Sequence, residues 1–530
     1  MTQPRASRTA ADVAIVGSGF AGSLTALALR SIGRSVVLLE RGSHPRFAIG
    51  ESTTPLTNLL LEQLCDRYGL ERVRALSKWG TWQATHPRIA AGLKRGFSFF
   101  HHERGTSFDD DDDHRLQLLV AASPHDAIAD THWYRPDVDH FLVREAAQAG
   151  AEYLDQVELT SMHSHAGGAL LQGRRDGAPL RVEVRFVVDA SGSGGFLPRV
   201  LGFGERPLQW LPRTQAIFTH FDGVERWDRT VGAGSAVAPP PFPVDDAALH
   251  HVFPGGWIWV LRFNNAITSA GAALTTPVAS AIGIEAEGGW DRLLAGLPSV
   301  AQQFRRAHAT RPFVHAPRLA FRAAHIMGPT WALLPSAAGF IDPLLSSGFP
   351  LTLLGILRLV RLLESDRWEG AGFARGLADY AAHTTRELDA TEQLVAALYA
   401  SMADFEQFKR LTLLYFAAAS FSETARRLGN ESAARGFLLC DDPVFGPEAR
   451  ACAAAAVANP RGAARQALLA RIDRTIQAFD VTGLGDRRRR DWYPALAEDL
   501  LAAAPKLGAS HAEMQQLLDR CGFAPPRASP

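Results

Sequence analysis

The stretch Val13-Ala14-Ile15-Val16-Gly17-Ser18-Gly19-Phe20-Ala21-Gly22 decides the fold. A short apolar, β-favouring run stops at a glycine, and the glycines that follow have the spacing G-x-G-x-x-G. In that pattern the glycines serve a tight turn, close approach of a pyrophosphate, and close packing of helix on strand. Alone the pattern is weak, so its flanks matter. A helical pattern runs from Ser23 to Ser31 and ends near Gly33. A second apolar strand, Val36-Val37-Leu38-Leu39, ends at Glu40. Strand, glycine turn, helix and strand in this order form the nucleotide-binding half of a doubly wound α/β fold. The helix start offers its free amides and positive dipole end to phosphates. Glu40 stands 18 positions after Gly22, where an acid accepts hydrogen bonds from free ribose hydroxyls. Gly17, Gly19, Gly22 and Glu40 are therefore expected to hold a dinucleotide.

Two later blocks choose which one. Val187-Val188-Asp189-Ala190-Ser191-Gly192 reads as a strand ending in a small-residue turn. It is similar to the segment at which FAD enzymes return to the nucleotide site. Gly339-Phe340-Ile341-Asp342-Pro343 sets an acid beside a proline in a glycine loop. In FAD proteins of the hydroxylase type such an acid lies near the ribityl chain and pyrophosphate. With a single complete glycine fingerprint, the cofactor is read as FAD, with no separate NAD domain. Asp189 and Asp342 join the expected cofactor-binding residues.

The rest of the 530 residues narrows the class. Lys+Arg is 55 and Asp+Glu is 55, a formal net charge of +0. That removes the long-range field of a nucleic-acid binder or a polybasic membrane binder. With 47% hydrophobic and 21% charged residues the composition is that of a globular protein. No apolar run is long enough for a membrane span. Cys65, Cys440, Cys452 and Cys521 form no C-x-x-C pair and stand at no metal-ligand spacing with histidine. They read as reduced thiols of a cytoplasmic protein, with no metal. Because a cleavage past Val13 would destroy the fingerprint, no cleaved leader is expected.

The expected architecture is α/β. A doubly wound FAD-binding domain of the glutathione-reductase/hydroxylase type carries an interleaved mixed-sheet substrate domain and a C-terminal helical region. Residues 1–11 are polar and expected to be flexible, and 12–355 hold the FAD domain with the substrate sheet at roughly 90–130 and 205–320. Residues 356–530 read as helices on the substrate side. The acidic run Asp109 to Asp113 and the basic run Arg487 to Arg490 read as solvated turns.

Four blocks, in order, resemble the flavin-dependent halogenases, in particular the branch acting on phenols and pyrroles. They are the fingerprint followed by Ser43-His44-Pro45-Arg46-Phe47-Ala48-Ile49-Gly50-Glu51-Ser52; Gly92-Leu93-Lys94-Arg95-Gly96-Phe97-Ser98-Phe99; Gly255-Gly256-Trp257-Ile258-Trp259-Val260; and Phe340-Ile341-Asp342-Pro343-Leu344-Leu345-Ser346-Ser347-Gly348. The likeness covers residues 12–360 and extends loosely into the helical tail. It implies a reaction in which reduced FAD, delivered by a separate flavin reductase, works with oxygen and chloride or bromide to make hypohalous acid. That acid crosses an internal tunnel to a lysine and halogenates an electron-rich aromatic ring, free or bound to a carrier protein.

The resemblance assigns roles residue by residue. Lys94 matches the tunnel lysine and is the expected catalytic residue. Phe340, Pro343, Ser346 and Gly348 complete the pattern F-x-x-P-x-x-S-x-G, whose amides at Ser347 and Gly348 would hold halide. Trp257 and Trp259, with Phe340, Pro343 and Ser346, would line the path. Ser52 is placed by the flavin ring or its chain, and Arg135 is a further expected FAD contact. Leu345 stands where the tryptophan-specific branch has a glutamate, which argues against tryptophan as substrate. Leu261-Arg262 stands where Ile-Pro is expected, and keeps open an FAD monooxygenase or oxidoreductase that uses no halide. A flavoprotein without catalysis is disfavoured by Lys94 and the Phe340–Gly348 pattern. His101 and His102 could serve as substrate-side bases, but a lone histidine is more often structural. No acid lies between Arg72 and His102, so Lys94 has no carboxylate partner nearby in sequence.

Overall fold

A computed structural model of the chain describes residues 7–109, 113–193, 195–230 and 239–524. Residues 1–6 of the polar N-terminus and Asp110 to Asp112 of the acidic run lie outside the described residues. The strand Ser7–Val16 lies parallel to Val36–Leu39 on one side and to Ala178–Asp189 on the other. Val13 to Val16 and Val36 to Leu39 are continuously apolar and buried, as strands covered on both faces must be. Val16 pairs with both Leu39 and Asp189, and Leu333 pairs with Asp189 from the next strand, Trp331–Leu333. The carboxyl ends of four parallel strands therefore share one edge, which is where ligands bind in such sheets.

The N-terminus differs from the expected flexible segment. Residues 7–11 continue the strand and pair with Leu180 to Val184. The reason is the partner's length: Ala178–Asp189 runs for 12 residues and offers a ladder well before the fingerprint. The basic turn Arg487–Arg489 is solvated only in part. Arg487 pairs with Glu406 and Asp473, and Arg489 with Asp499, so the turn ties helices together.

A second sheet of 9 strands stands beside the first. Its centre is antiparallel, Thr214–Asp222 against Thr268–Thr275, Gly256–Arg262 and Ala248–Phe253. Gly96–His101 then adds in parallel to Ala248–Phe253, and Gln117–Ala121 follows. Trp492–Tyr493 closes that edge, so the C-terminal region also supplies a strand. A separate two-stranded pair, Ala91–Lys94 with Asp130–Trp133, is almost wholly buried.

The expected boundary between 355 and 356 falls inside a continuous helix, Gly348–Leu363. Nothing in that apolar run breaks a helix. Gly355 sits where Pro335 packs, and a Cβ there would come within 2.3 Å of the proline ring. Long helices, Gly370–Ser401 and Phe405–Arg427 among them, cover the side beyond it.

The fingerprint helix Phe20–Ser31 is buried from Ala21 to Leu29 and packs directly on the turn before it. A Cβ on Gly22 would lie 1.8 Å from the carbonyl oxygen of Gly17. The helix cannot yield without dragging the cofactor turn with it. Gly22→Ala should therefore lower stability by about 2 kcal/mol, in the range of overpacked cores. It should weaken retention of added FAD as well. Urea unfolding and flavin fluorescence titration measure both, and a variant that matches wild type in each would contradict this packing.

Candidate active site

The shared strand edge opens on a cavity of about 920 Å³. Gly17 holds φ +99° there, and a Cβ on it would meet Ala190 O at 2.7 Å, so only glycine makes this turn. Glu40 accepts the Ser18 amide (3.0 Å) and hydroxyl (2.9 Å) on Oε2 and the Gly42 amide (2.9 Å) on Oε1. Burial alone would raise its carboxyl. Arg46 and these donors outweigh burial and hold it below the ordinary carboxylate range. Arg135 grips Asp139 with two hydrogen bonds of 2.9 and 2.8 Å and donates to the carbonyls of Ile49 and Gly50, each at 3.0 Å. It thereby fixes the loop that carries Ser52.

Three buried polar atoms on the cavity wall have no partner among the described residues: Ser52 Oγ, Arg46 Nε and Ser336 Oγ. A buried polar group without a partner costs free energy, so such atoms mark where a ligand completes the bonding. FAD offers phosphates, hydroxyls and ring carbonyls to such donors. The glycine turn, the acid at the strand end and these orphans fit that cofactor.

Most of the expected site residues meet here, and three, Gly22, Asp189 and Lys94, do not. Gly17, Gly19, Glu40, Ser52 and Arg135 line the cavity. Gly22 lies behind it, as its packing requires. Asp189 is turned inward instead of facing the cavity. Its Oδ1 accepts the amide and hydroxyl of Ser191 (2.9 and 2.5 Å) and its Oδ2 the amide of Leu197 (2.7 Å). It pins the turn through Ala190 and Ser191 that lines the cavity, so its part is positional.

The far wall is built from Trp257, Trp259, Phe340, Asp342, Pro343 and Ser346. The two tryptophans alternate on one face of Gly256–Arg262, with ring centres 5.6 Å apart. Trp257 Nε1 donates to Tyr399 (3.2 Å), whose hydroxyl donates to Asp342 Oδ2 (2.8 Å). Leu344 N donates to Asp342 Oδ1 at 2.9 Å. Burial raises the Asp342 carboxyl to about 7 against these bonds. Ser346 adopts φ 53°, a conformation uncommon for a residue with a side chain, and its amide donates back to Pro343 O at 3.0 Å. The chain then enters Gly348–Leu363, whose first-turn amides have no intrahelical acceptor. Ser347 and Gly348 line the cavity, and a Cβ on Gly348 would meet no atom within 4 Å.

Leu261-Arg262 has a structural reason. The strand runs on to Arg262, which pairs with Thr268. The guanidinium bonds Asp245 (3.0 Å), Val224 O (3.0 Å) and Glu225 O. A proline here would lose both ladder and latch.

Lys94 is fully buried, and residues next to it or bonded to it line this cavity and a smaller one of about 160 Å³. Its Nζ donates to Thr53 O at 2.5 Å and stands 3.7 Å from the centre of the Phe97 ring. Ser52, before Thr53, lines the first cavity, while Thr54 and Phe97 line the second. Burial pulls the Lys94 ammonium down to about 7, against the pull of Asp130. Asp130 faces it across the antiparallel pair and lines the second cavity. Burial pushes the Asp130 carboxyl up to about 7, with Lys94 opposing. Lys94 thus has the carboxylate neighbour that its own stretch of sequence lacks. Strand register supplies it, and the spacing of residues along the chain gives no sign of it.

The sequence gives no direct signal for Asp130, Asn58, Tyr399 or the buried pair His220–Glu51, whose Nε2 and Oε1 are 2.9 Å apart. His101 and His102 take the structural part. His101 Nε2 meets Met402 O at 3.0 Å, and His102 Nε2 meets His251 Nδ1 at 3.0 Å. Among the described residues no group of side chains could hold a metal ion, and no helix is long and apolar enough to cross a membrane.

Comparison with known proteins agrees with this geometry. The family model for FAD dependent oxidoreductases matches residues 12–341. The chain is 30% identical over 417 residues to the monodechloroaminopyrrolnitrin halogenase of Pseudomonas fluorescens, covering 76% of this chain and 70% of that one. It is 31% identical over 393 residues to the tetracycline 7-halogenase of Kitasatospora aureofaciens, covering 70% and 68% respectively. The crystal structure of halogenase PltM in complex with phloroglucinol and FAD superposes with a TM-score of 0.79 at 26% identity, covering 91% of this chain and 99% of that one. With its glycine turn, its FAD cavity and a lysine buried behind that cavity, the chain belongs to the FAD-dependent oxidoreductases and, among them, to the flavin-dependent halogenases.

Proposed function

We propose that the protein halogenates a small electron-rich aromatic ring, a phenol or a pyrrole, with Lys94 as the residue that hands over the halogen. The observation that carries this reading is the burial of Lys94 against Thr53 and Phe97, with Ser52 on the wall of the FAD cavity and Thr54 and Phe97 on that of a second cavity of ring size. When bound in its reduced form, FAD would activate oxygen, the oxidant that turns chloride or bromide into hypohalous acid.

The chain's own residues bind, separate and aim. Gly17, Gly19, Glu40, Ser52 and Arg135 seat the cofactor, with Asp189 and Asp342 setting the loops on either side. The amides of Ser347 and Gly348 hold the halide as an anion at a helix start. Trp257 and Trp259 fill the far wall and keep the organic substrate off the flavin side. Phe340, Pro343 and Ser346 shape the passage between. Lys94 Nζ, held by Thr53 O, donates a hydrogen bond to hypohalous acid and keeps it from water. A titration near 7 also leaves some free amine at neutral pH, so the halogen can pass to nitrogen as well. Leu345 offers no acid, which sets this site apart from one built for tryptophan. A separate flavin reductase delivers the reduced cofactor. Four free thiols suit the reducing cytoplasm, where we place the reaction.

Incubated with FAD, a flavin reductase, NADH, oxygen and bromide, the protein should brominate phenolic or pyrrolic probes, read as a bromine mass pattern. Hydroxylated products that persist without halide would overturn the reading in favour of a monooxygenase. Lys94→Ala should cut bromination by at least about a hundredfold, the reach of one positioned proton donor. Oxygen consumption by the reduced flavin should continue in that variant. Bromination that survives it would remove Lys94 from the role.

A further inference from the structure

The second cavity holds one acid whose bonding is incomplete. Asp130 is 2% exposed. Its Oδ1 accepts Asn58 Nδ2 at 2.6 Å, but its Oδ2 is buried without a partner among the described residues. Both Asp130 and Asn58 line the cavity, with Phe97, Tyr415 and Phe416 supplying aromatic wall. The antiparallel register sets Lys94 opposite Asp130, where side chains stand on the same face a few ångströms apart. They make no direct hydrogen bond with each other. Lys94 is occupied by Thr53 O and the Phe97 ring. Asp130 therefore lines a ring-sized space opposite Lys94 with one buried carboxylate oxygen left without a partner among the described residues.

We infer that Asp130 is the substrate-side proton acceptor, and that the ring it receives is a phenol whose hydroxyl donates to Oδ2. This rests on the halogenation proposed above and narrows its substrate. A pyrrole N–H is too weak an acid for a carboxylate to remove. A phenol, with the acidity of a tyrosine, comes within reach once burial has raised the acceptor.

The protons balance. Asp130 takes the hydroxyl proton, and the ring becomes a phenolate. A ring carbon ortho or para to the oxygen forms the carbon–halogen bond as the halogen–oxygen bond of hypohalous acid breaks. The departing hydroxide takes the ring C–H proton and leaves as water, which restores aromaticity. Asp130 then returns the hydroxyl proton to the phenolate oxygen. The products are the halophenol and water.

Guaiacol and veratrole test this, because a methyl group in veratrole replaces the hydroxyl proton of guaiacol. Asp130→Asn keeps the shape and removes the base. It should lower the ratio of guaiacol to veratrole bromination by at least about a hundredfold. If both rates fall by one common factor, Asp130 serves only to balance Lys94, and the inference is overturned. An unchanged ratio overturns it equally. A wild type that brominates a pyrrole but neither of these rings overturns the phenol assignment, and one that brominates no phenolic or pyrrolic probe overturns the halogenation reading beneath it.

Should Asp130→Asn fail to fold, Asn58→Ala gives a second measurement. Charged and titratable groups facing Asp130 are Lys94 from the partner strand and Glu423, Arg427 and Tyr415 from the helix Phe405–Arg427. Asn58→Ala leaves these in place and removes one donor from the carboxylate, which raises its titration point. The acid limb of the guaiacol pH profile should move to higher pH while that of veratrole stays. A guaiacol limb that does not move overturns the assignment.

Discussion

An ammonium group sealed from water has to be held by the protein around it, and at Lys94 that requirement organises the middle of the molecule. Removing such a charge from solvent costs several kcal/mol even after relaxation. Three groups offset the cost: the Thr53 carbonyl, the face of Phe97 and the carboxyl of Asp130. Each arrives on a different part of the chain. Thr53 lies at the end of the loop that follows Val36–Leu39, Phe97 lies near the start of a strand of the second sheet, and Asp130 begins the strand paired with that of Lys94. Both sheets must be in place before the lysine can be buried.

The same arrangement explains why two cavities exist. The FAD cavity opens at the carboxyl edge of the parallel sheet, where strand ends, glycine turn and helix start converge by topology. The second cavity lies where the helix Phe405–Arg427 and the C-terminal helix His511–Cys521 close over the lysine strands, with Met514, Leu517 and Leu518 on its wall. The loop around Ser346 touches both. Ser347 and Gly348 line the first cavity, while Leu345 O accepts the hydroxyl of Tyr415 from the wall of the second, at 2.8 Å.

The legible parts of the sequence were those fixed by local backbone geometry. Gly17 needs a left-handed turn, Gly22 needs a missing Cβ, and Glu40 sits at the end of a strand whose apolar run is unmistakable. The block around Ser346 reads equally well, because glycine, serine and proline at fixed spacing shape a loop wherever it lies. Pairings across the chain could not be read this way. Lys94 looks partnerless along its own segment, and only the register of Ala91–Lys94 against Asp130–Trp133 brings the acid opposite. Asp189 shows the reverse error. A strand-end acid looks like a ligand contact, but its oxygens are taken by Ser191 and Leu197, and it acts through the turn it holds.

The balanced charge of the whole chain takes its meaning from these local fields. With 55 basic and 55 acidic residues there is no global potential to draw in halide or substrate. The site has no need of one, since its work is done by groups that are effective because they are buried. Helix amides can hold halide through partial charges, and the Lys94 ammonium has no water to compete for its hydrogen bonds. Asp130 gains basicity from the burial that raises it toward 7. Long-range attraction would only bring ions to the surface. A low dielectric around a few placed donors and one incomplete acceptor decides what happens to them inside.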